Sequence, residues 1–459
     1  QELCTKLELQ ATMASSSEGL WTLCSCYGLG ITEVDQMNLA IEGIGQLVAY
    51  EQQLRHGESV TLRPLEVQAN ESLVLMTPEP SLSFGDVPGL GDSDVPGFPA
   101  DECPEQLPDL DSHFSALAEV LKRDPSVYHE LRDIKTPGGV TLARCMKPGM
   151  DNKGHSMIKI SGAVAGDEDC YEFFRRLFDG VICSCLNGCE LAGHPRIDAS
   201  AVDCEVVDPS GRHLVSVHLQ ASRNLAGVPF LPAISFDERN RAESVIVDAL
   251  VQSGDIRGHY YPLMGSKSYA PQPEGMDQEA ENQLHDDGLL FEEPHSQLKL
   301  SAGIGRHWPN GRGVFASETR TMAVYVNEDD HLKVLVTQYG GDGLKETFEQ
   351  FCGADSALRA ALQRSGHDYA YSERLGFLTA EPASVGPGGF KASVVLWLPL
   401  LGSGQSLRST CRALQVQAMS KDSEVSGELW TISATCTLGL SEADLVNRVS
   451  VACRELIKM

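Results

Sequence analysis

Basic residues are scarce in this chain. It holds 36 Lys and Arg against 64 Asp and Glu, a formal net charge of -28. Such a surface repels a phosphate backbone, so nucleic acid is not an expected partner. Between Arg63 and Lys122 there is no Lys or Arg. Long apolar runs are missing too: no stretch reaches the roughly 18 residues that a membrane-spanning helix needs, so no membrane insertion is expected. Aromatic residues make up only 6%. No charged-then-apolar leader follows Gln1, and the expectation is that a leader was removed or that the chain is part of something longer. Paired C-x2-C sets are also lacking. The 14 cysteines cluster only as Cys24-x-Cys26 and Cys183-x-Cys185-x3-Cys189, which points to reduced thiols of an intracellular protein and to no metal site.

What is present is ample core material, 42% hydrophobic over 459 residues, enough for about two to four structural units. Residues 322–336 read as a hairpin, two apolar runs flanking a polar link from Asn327 to His331. Three carboxylates sit at its tip: Glu328, Asp329 and Asp330. Two readings stay open for them. One is a solvated turn; the other is a strand-flanked cluster that holds a cation or acts as a base.

The two ends of the chain repeat one another. Cys4, Gln10-Ala11, Trp21-Thr22 and Gly30-Ile31-Thr32-Glu33 recur in the same order as Cys411, Gln417-Ala418, Trp430-Thr431 and Gly439-Leu440-Ser441-Glu442. Thr32 with Asp35, and Ser441 with Asp444, have the spacing of helix N-cap boxes. The inference is a tandem array, with residues 1–55 as the tail of one unit and the chain end as the tail of the next.

Residues 56–111 read as an extended acidic linker rich in Pro and Gly, too poor in apolar surface to fold alone. Residues 73–76, Phe84 and Phe98 are its expected anchors on a neighbour. A small helical, loop-rich domain is expected over 112–202, with a helix at 114–121. Asp167 is expected to cap another helix that buries Cys170, Phe173, Phe174 and Leu177. From 203 to 459 strands alternate with helices. Strands are expected at 213–219, 302–306, 323–326, 332–336, 392–398 and 429–436, and helices at 241–252, 345–352 and 355–364. The class is α+β with a mainly antiparallel sheet.

Several runs, taken in order, resemble the phosphagen kinases, the family of arginine, creatine and taurocyamine kinases. They are Lys135-Thr-Pro-Gly-Gly-Val-Thr-Leu, Gly162-Ala-Val-Ala-Gly-Asp-Glu-Asp-Cys-Tyr, Gly258-His-Tyr-Tyr-Pro-Leu, Trp308-Pro-Asn-Gly-Arg-Gly-Val-Phe and Val326-Asn-Glu-Asp-Asp-His-Leu-Lys. The resemblance covers residues 112–459 and, as a tail-only copy, 1–55. It implies an N-terminal helical domain, a C-terminal eight-stranded antiparallel sheet flanked by helices, and reversible phosphoryl transfer from MgATP to a guanidino nitrogen. It also implies that the loop at 135–142 touches the guanidino substrate.

The resemblance further implies five arginines around the nucleotide phosphates, whose forked guanidinium grips phosphate in a way other side chains do not. Two of those positions fall on His218 and Gln220, with Arg223 trailing in the same strand. A third falls on Arg306, a fourth on Lys391 and a fifth on Gln417, matched by Gln10 in the first copy. The adenine-contacting segment becomes Asp286-Asp287-Gly288-Leu289-Leu290, and a family histidine becomes Val395. Glu381 stands where the family has a reactive cysteine. Glu328 matches a guanidinium-orienting glutamate, Asp329 the next one shortened by a methylene, and Asp422 loosely a third. The remnant guanidinium site is therefore Glu328, Asp329 and Glu381, and the remnant nucleotide site Arg306, Lys391 and Arg223. The expectation is a degenerate member with a structural role, packed against neighbouring proteins of a larger complex and adjacent repeats, with no cofactor bound. Tandem phosphagen kinases of flagella suggest, by analogy, an axonemal or cytoplasmic home. Two alternatives are an active guanidino kinase using MgATP and a guanidino-binding sensor without catalysis.

Overall fold

The computed structural model describes residues 9–15, 20–25, 94–156, 158–185, 199–203, 205–254, 256–340, 343–399, 405–420, 429–435 and 440–459. The Thr32–Asp35 cap, linker residues 56–93 with their expected anchors at 73–76 and Phe84, Cys189 and Asp422 lie outside these. The chain forms two compact units, Gln1–Leu82 and Ser83–Met459. In the first, β1 (Leu9–Ser15) and β2 (Leu20–Ser25) pair antiparallel, with Gln10 opposite Cys24, Ala11 opposite Leu23 and Thr12 opposite Thr22.

The described part of the second unit starts with a strap, residues 94–111, that forms neither helix nor strand. Its prolines remove donors that a ladder would need, so its polar groups are met by side chains of the protein instead. Asp94 pairs through both carboxylate oxygens with Arg144, at 3.0 and 2.9 Å, and lies 3.7 Å from Arg306. Lys147 Nζ donates to the Phe98 carbonyl at 2.7 Å, Thr141 Oγ1 to that of Ala100 at 2.6 Å and the Tyr128 hydroxyl to that of Pro104 at 2.5 Å. Phe98, Cys103 and Leu107 pack on the helices beneath. The final stretch of the expected linker thus folds onto this chain's own helical lobe, with Phe98 as one anchor.

That lobe comprises α1 (Ala116–Arg123), α2 (Ser126–Leu131), α3 (Leu142–Asp151), α4 (Cys170–Phe173) and α5 (Arg175–Cys185). Ser115 caps α1 through the Ala118 amide at 3.2 Å, and Asp167 accepts the Cys170 amide at 2.9 Å, as its spacing foretells. Cys170, Phe174 and Leu177 are buried, but Phe173 is exposed. Gly149 on α3 permits a close crossing: a Cβ there would meet the Gly162 carbonyl at 2.3 Å. The core of Leu117, Leu121, Tyr128, Phe174 and Phe178 continues into Leu378, Ala380 and Val385 of the sheet lobe. This continuity holds the 378–385 loop against the helices.

The sheet lobe contains, in chain order, β3 (Leu214–Arg223), α6 (Phe236–Gln252), β4 (Gly258–Pro262), α7 (Gln278–Asp286), α8 (Gln297–Ser301), β5 (Gly313–Ser317), β6 (Met322–Val326), β7 (Leu332–Tyr339) and α9 (Leu344–Arg364). There follow the short β8 (Tyr371–Ser372), β9 (Gly376–Phe377) and β10 (Gly386–Pro387), then β11 (Lys391–Trp397), α10 (Gln405–Ala413), β12 (Val416–Ser420), β13 (Leu429–Ala434) and α11 (Glu442–Lys458). Eight strands form one antiparallel sheet in the order β12-β13-β11-β3-β7-β6-β5-β4. Helices α6, α9 and α11 bury one face through residues such as Ile246, Phe348 and Val446.

Two expected elements differ. Residues 302–306, read as a strand, are turns that close α8, because Gly303 adopts a φ of +76° and bends the chain. The helices expected at 345–352 and 355–364 are one 21-residue helix. Gly353 costs about 1 kcal/mol inside it, but Phe348, Phe351, Leu358 and Leu362 form one apolar stripe that outweighs the break.

Candidate functional site

Residues opposite one another in an antiparallel pair project from the same face. On β3, Val217, Leu219 and Ala221 enter the helix-covered core, so His218, Gln220 and Ser222 point to the other face. Pairing sets three rungs across that face. The first is Gln417, Ser433, Ser393, His218 and Thr337; the second is Lys391, Gln220 and Leu335; the third is Ser222, Lys333 and Tyr325. Four positions singled out in the sequence, His218, Gln220, Lys391 and Gln417, therefore share one face on adjacent rungs. His218 is held by Ser216 at 2.8 Å and Thr337 at 3.1 Å, and Gln417 Nε2 donates to Ser433 Oγ at 3.1 Å. Lys391 is exposed.

Arg223 and Arg306 lie elsewhere. Arg223, on the core side of β3, is fully buried against Asp355 at 3.3 Å and the Phe377 ring at 3.7 Å. Arg306 is buried off the sheet, donating to the carbonyls of Pro232 at 2.9 Å and Ile234 at 3.2 Å. Burial and the neighbouring Arg144 lower its pKa.

The hairpin tip is not a solvated turn. Asn327, at a φ of +54°, donates from Nδ2 to the carbonyls of Gly311 at 2.6 Å and Arg239 at 3.2 Å. His331 is fully buried. Its Nδ1 accepts the Leu225 amide at 3.0 Å, which leaves Nε2 to donate to the Pro229 carbonyl at 3.0 Å. Burial lowers its pKa to about 4. Asp330 accepts from Asn224 Nδ2 at 2.6 Å and from the Ala380 amide at 2.8 Å, tying the tip to the loop that carries Glu381.

A cavity of about 290 Å³ opens between the lobes. Asp329, Asp330 and Glu381 line it, together with Gln220, Lys299 and Lys333. Glu328 pairs with Lys333 at its edge. Lys299 Nζ lies 2.7 Å from one oxygen of Asp329 and 2.9 Å from the other. Burial works to raise the Asp329 carboxyl, yet Lys333 and Lys299 hold it below the usual range. Glu328 goes the other way, raised by burial in spite of Lys333. The loop at 135–142 is not among the lining residues. Thr136 Oγ1 instead donates to Asp167 at 2.5 Å. Neither lysine stood out in the sequence. Lys333 had a signal, since it lies five residues after Glu328 across the turn; Lys299 comes from α8 and had none.

Glu381 has no cation beside it comparable to those of Glu328 and Asp329. Burial pushes its carboxyl up to about 7, against the opposing hydrogen bonds from Ser161 and the Ala383 amide, and the carboxylates Asp330 and Asp329 add to the rise. A carboxyl raised in the folded state favours its protonated form. Its contribution to stability is complete below about 4.5 and is lost as pH climbs through about 7. Glu381→Gln is expected to remove about 2–3 kcal/mol of that decline. Melting temperatures of both proteins across this window check it; parallel profiles would contradict the assignment. His331 contributes with the opposite sign, gaining as pH rises from about 4 to its ordinary 6.5, and cancels in the comparison.

A second cavity, about 300 Å³, lies on the sheet face, and Gln220 also lines the first. His218, Thr321, Thr337, Ser393, Val395 and Thr431 line it, with Gly288 and Leu289 from the segment after α7. No Arg or Lys is among its described lining residues. Among the described residues, no group of three or more His, Cys, Asp or Glu is arranged to hold a metal ion, and no helix is long and apolar enough to cross a membrane.

Comparison with known proteins gives concordant matches. The domain described as ATP:guanido phosphotransferase, C-terminal catalytic domain, matches residues 241–459, and the corresponding N-terminal domain matches 111–183. Creatine kinase M-type of Gallus gallus is 33% identical over 362 residues, covering 77% of this chain and 91% of the relative. The M-type enzyme of Tetronarce californica gives the same identity and coverage. The crystal structure of lombricine kinase superposes with a TM-score of 0.70 at 31% identity, covering 77% of this chain and 94% of that one. The substrate-free duplicated taurocyamine kinase of Schistosoma mansoni superposes with a TM-score of 0.65 at 27% identity, covering 76% of this chain and 47% of that one.

Proposed function

Because this chain belongs to the ATP:guanido phosphotransferase family, the phosphagen kinases, we propose that it keeps the family fold, has lost the phosphoryl-transfer reaction and serves as a structural unit of a tandem array. The observation that carries this reading is the composition of the open sheet face. Phosphagen kinases use MgATP, and phosphoryl transfer needs several cations converging on the phosphates. Here the first two rungs present His218, Gln220 and Gln417 with Lys391 as their one cation among the described residues, and the adjoining cavity is lined by His218, Gln220, hydroxyls and apolar groups. The two lysines of the first cavity are engaged with Glu328 and Asp329. These residues do not fit a bound triphosphate.

The array reading has its own support. Gln417 faces Ser433 and Ala418 faces Ile432, as Gln10 faces Cys24 and Ala11 faces Leu23. Two hairpins with matching sequence thus pair in the same register. On this reading residues 1–55 are the tail of a preceding unit, 56–111 the connection, whose last part straps onto the next unit, and 112–202 and 203–459 the helical and sheet domains of that unit. Neighbouring units and proteins of a larger assembly are then its partners.

The active alternative draws on the 33% identity to creatine kinase M-type and on the retained Glu328. Titration calorimetry with MgATP separates the two. The structural reading expects no saturable heat up to millimolar nucleotide; saturable binding at micromolar concentration would refute it.

A further inference from the structure

We propose that Lys299 is a built-in occupant of the acidic end of the first cavity, and that removing its ammonium opens a binding site for a small guanidinium compound. The inference rests on the reading of this cavity as the guanidinium end of a silent kinase site.

The argument is one of charge and placement. The two lysines differ in kind. Lys333 is a sheet residue on the third rung, mostly buried and committed to Glu328. Lys299 reaches in from the opposite wall, on α8, which packs against α3 of the helical lobe. Its side chain is 40% exposed, and it pairs with Asp329, both of whose oxygens it approaches. Nothing in α8 requires a charge at this position. Its neighbours Leu298 and Leu300 are apolar; Leu300 is buried and Leu298 lines the same cavity. The ammonium sits where it neutralises Asp329, the tip carboxylate that Lys333 approaches only to 3.7 Å, while Asp330 is held by Asn224 and the Ala380 amide.

Without Lys299, Asp329 would retain only Lys333, at 3.7 Å. Asp329 and Glu381 would then line a cavity of about 290 Å³ with a surplus of negative charge. A planar guanidinium donates in pairs to carboxylate oxygens and is less strongly hydrated than an ammonium, so it is the cation best suited to that vacancy. Lys299 therefore acts as a tethered competitor. Its effective concentration at Asp329 is high because it is part of the fold, and a free ligand must displace it.

The test compares wild type with Lys299→Leu, which matches its neighbours on α8, and Lys299→Gln, which keeps the length. Each is titrated with L-arginine and with methylguanidine by calorimetry, with methylurea as the uncharged control. Circular dichroism confirms the fold of each variant. Both variants are expected to bind the guanidines at least ~10-fold more tightly than wild type, a change of about 1.4 kcal/mol. Adding Asp329→Asn to either variant is expected to abolish the gain, and methylurea is expected to show none. Equal affinity of wild type and both variants, or a gain that survives Asp329→Asn, would overturn the proposal. If that happened while phosphoryl transfer stayed absent, the structural reading would stand and only the role of Lys299 would fall. Turnover by the wild type would defeat both.

Discussion

Offered arginine, creatine or taurocyamine with millimolar MgATP, the protein is expected to form phosphagen at no more than about 10⁻⁴ of an ordinary kinase rate. Phosphoryl transfer draws its acceleration from aligned cations that meet charge developing on the transferred group. Loss of one aimed donor in such a clamp costs about 3 kcal/mol. The sheet face has three such positions without a cation, His218, Gln220 and Gln417, on two neighbouring rungs. Losses within one clamp need not add in full, and about four orders of magnitude lies between the cost of one such loss and the full sum of three. Lys391 contributes charge but cannot grip two oxygens at fixed angle. A coupled assay for ADP formation, run with each guanidino compound, checks this; turnover near one per second would refute it.

Arg223→Met is expected to lower the unfolding free energy by about 3–5 kcal/mol. The guanidinium is fully buried and donates to the carbonyls of Ser222 at 2.9 Å and Pro387 at 3.3 Å. It also pairs with Asp355 at 3.3 Å and lies over the Phe377 ring at 3.7 Å. Methionine fills much of the volume but leaves Asp355 as a buried, uncompensated carboxylate, which is the expensive half of breaking such a pair. Urea unfolding gives the number. A loss under about 1 kcal/mol would place Arg223 outside the core framework.

Arg223 also shows how far the sequence could be read. It was the surviving arginine of a strand otherwise stripped of them, and period-two alternation from His218 and Gln220 puts position 223 on the opposite face. Most of the expected strands and the hairpin were readable because apolar alternation and turn residues are local signals; the strand order was not. The Ser441–Asp444 box forms as its spacing foretells. What joins distant segments was not readable. Lys299 meets Asp329 across 30 residues, and Asp330 meets Ala380 across 50. The burial of the tip was hidden for the same reason: Glu328, Asp329 and Asp330 look like a solvated acidic link until the 378–385 loop and α8 close over them. The strap was misjudged by composition. Residues 94–111 pack Phe98, Cys103, Leu107 and Leu110 on the helical lobe and satisfy carbonyls on its side chains, a gain that composition does not register.

Asp94 has a mechanical consequence. It grips Arg144 of the helical lobe and lies against Arg306 of the sheet lobe, and both arginines also donate to the same Pro232 carbonyl. Among the described residues of this unit, a pull arriving at Asp94 therefore loads the seam between the lobes before it reaches a helix or strand. In the serial array proposed above, that ion-pair cluster would be the first of the described contacts to bear tension, and both lobes share it.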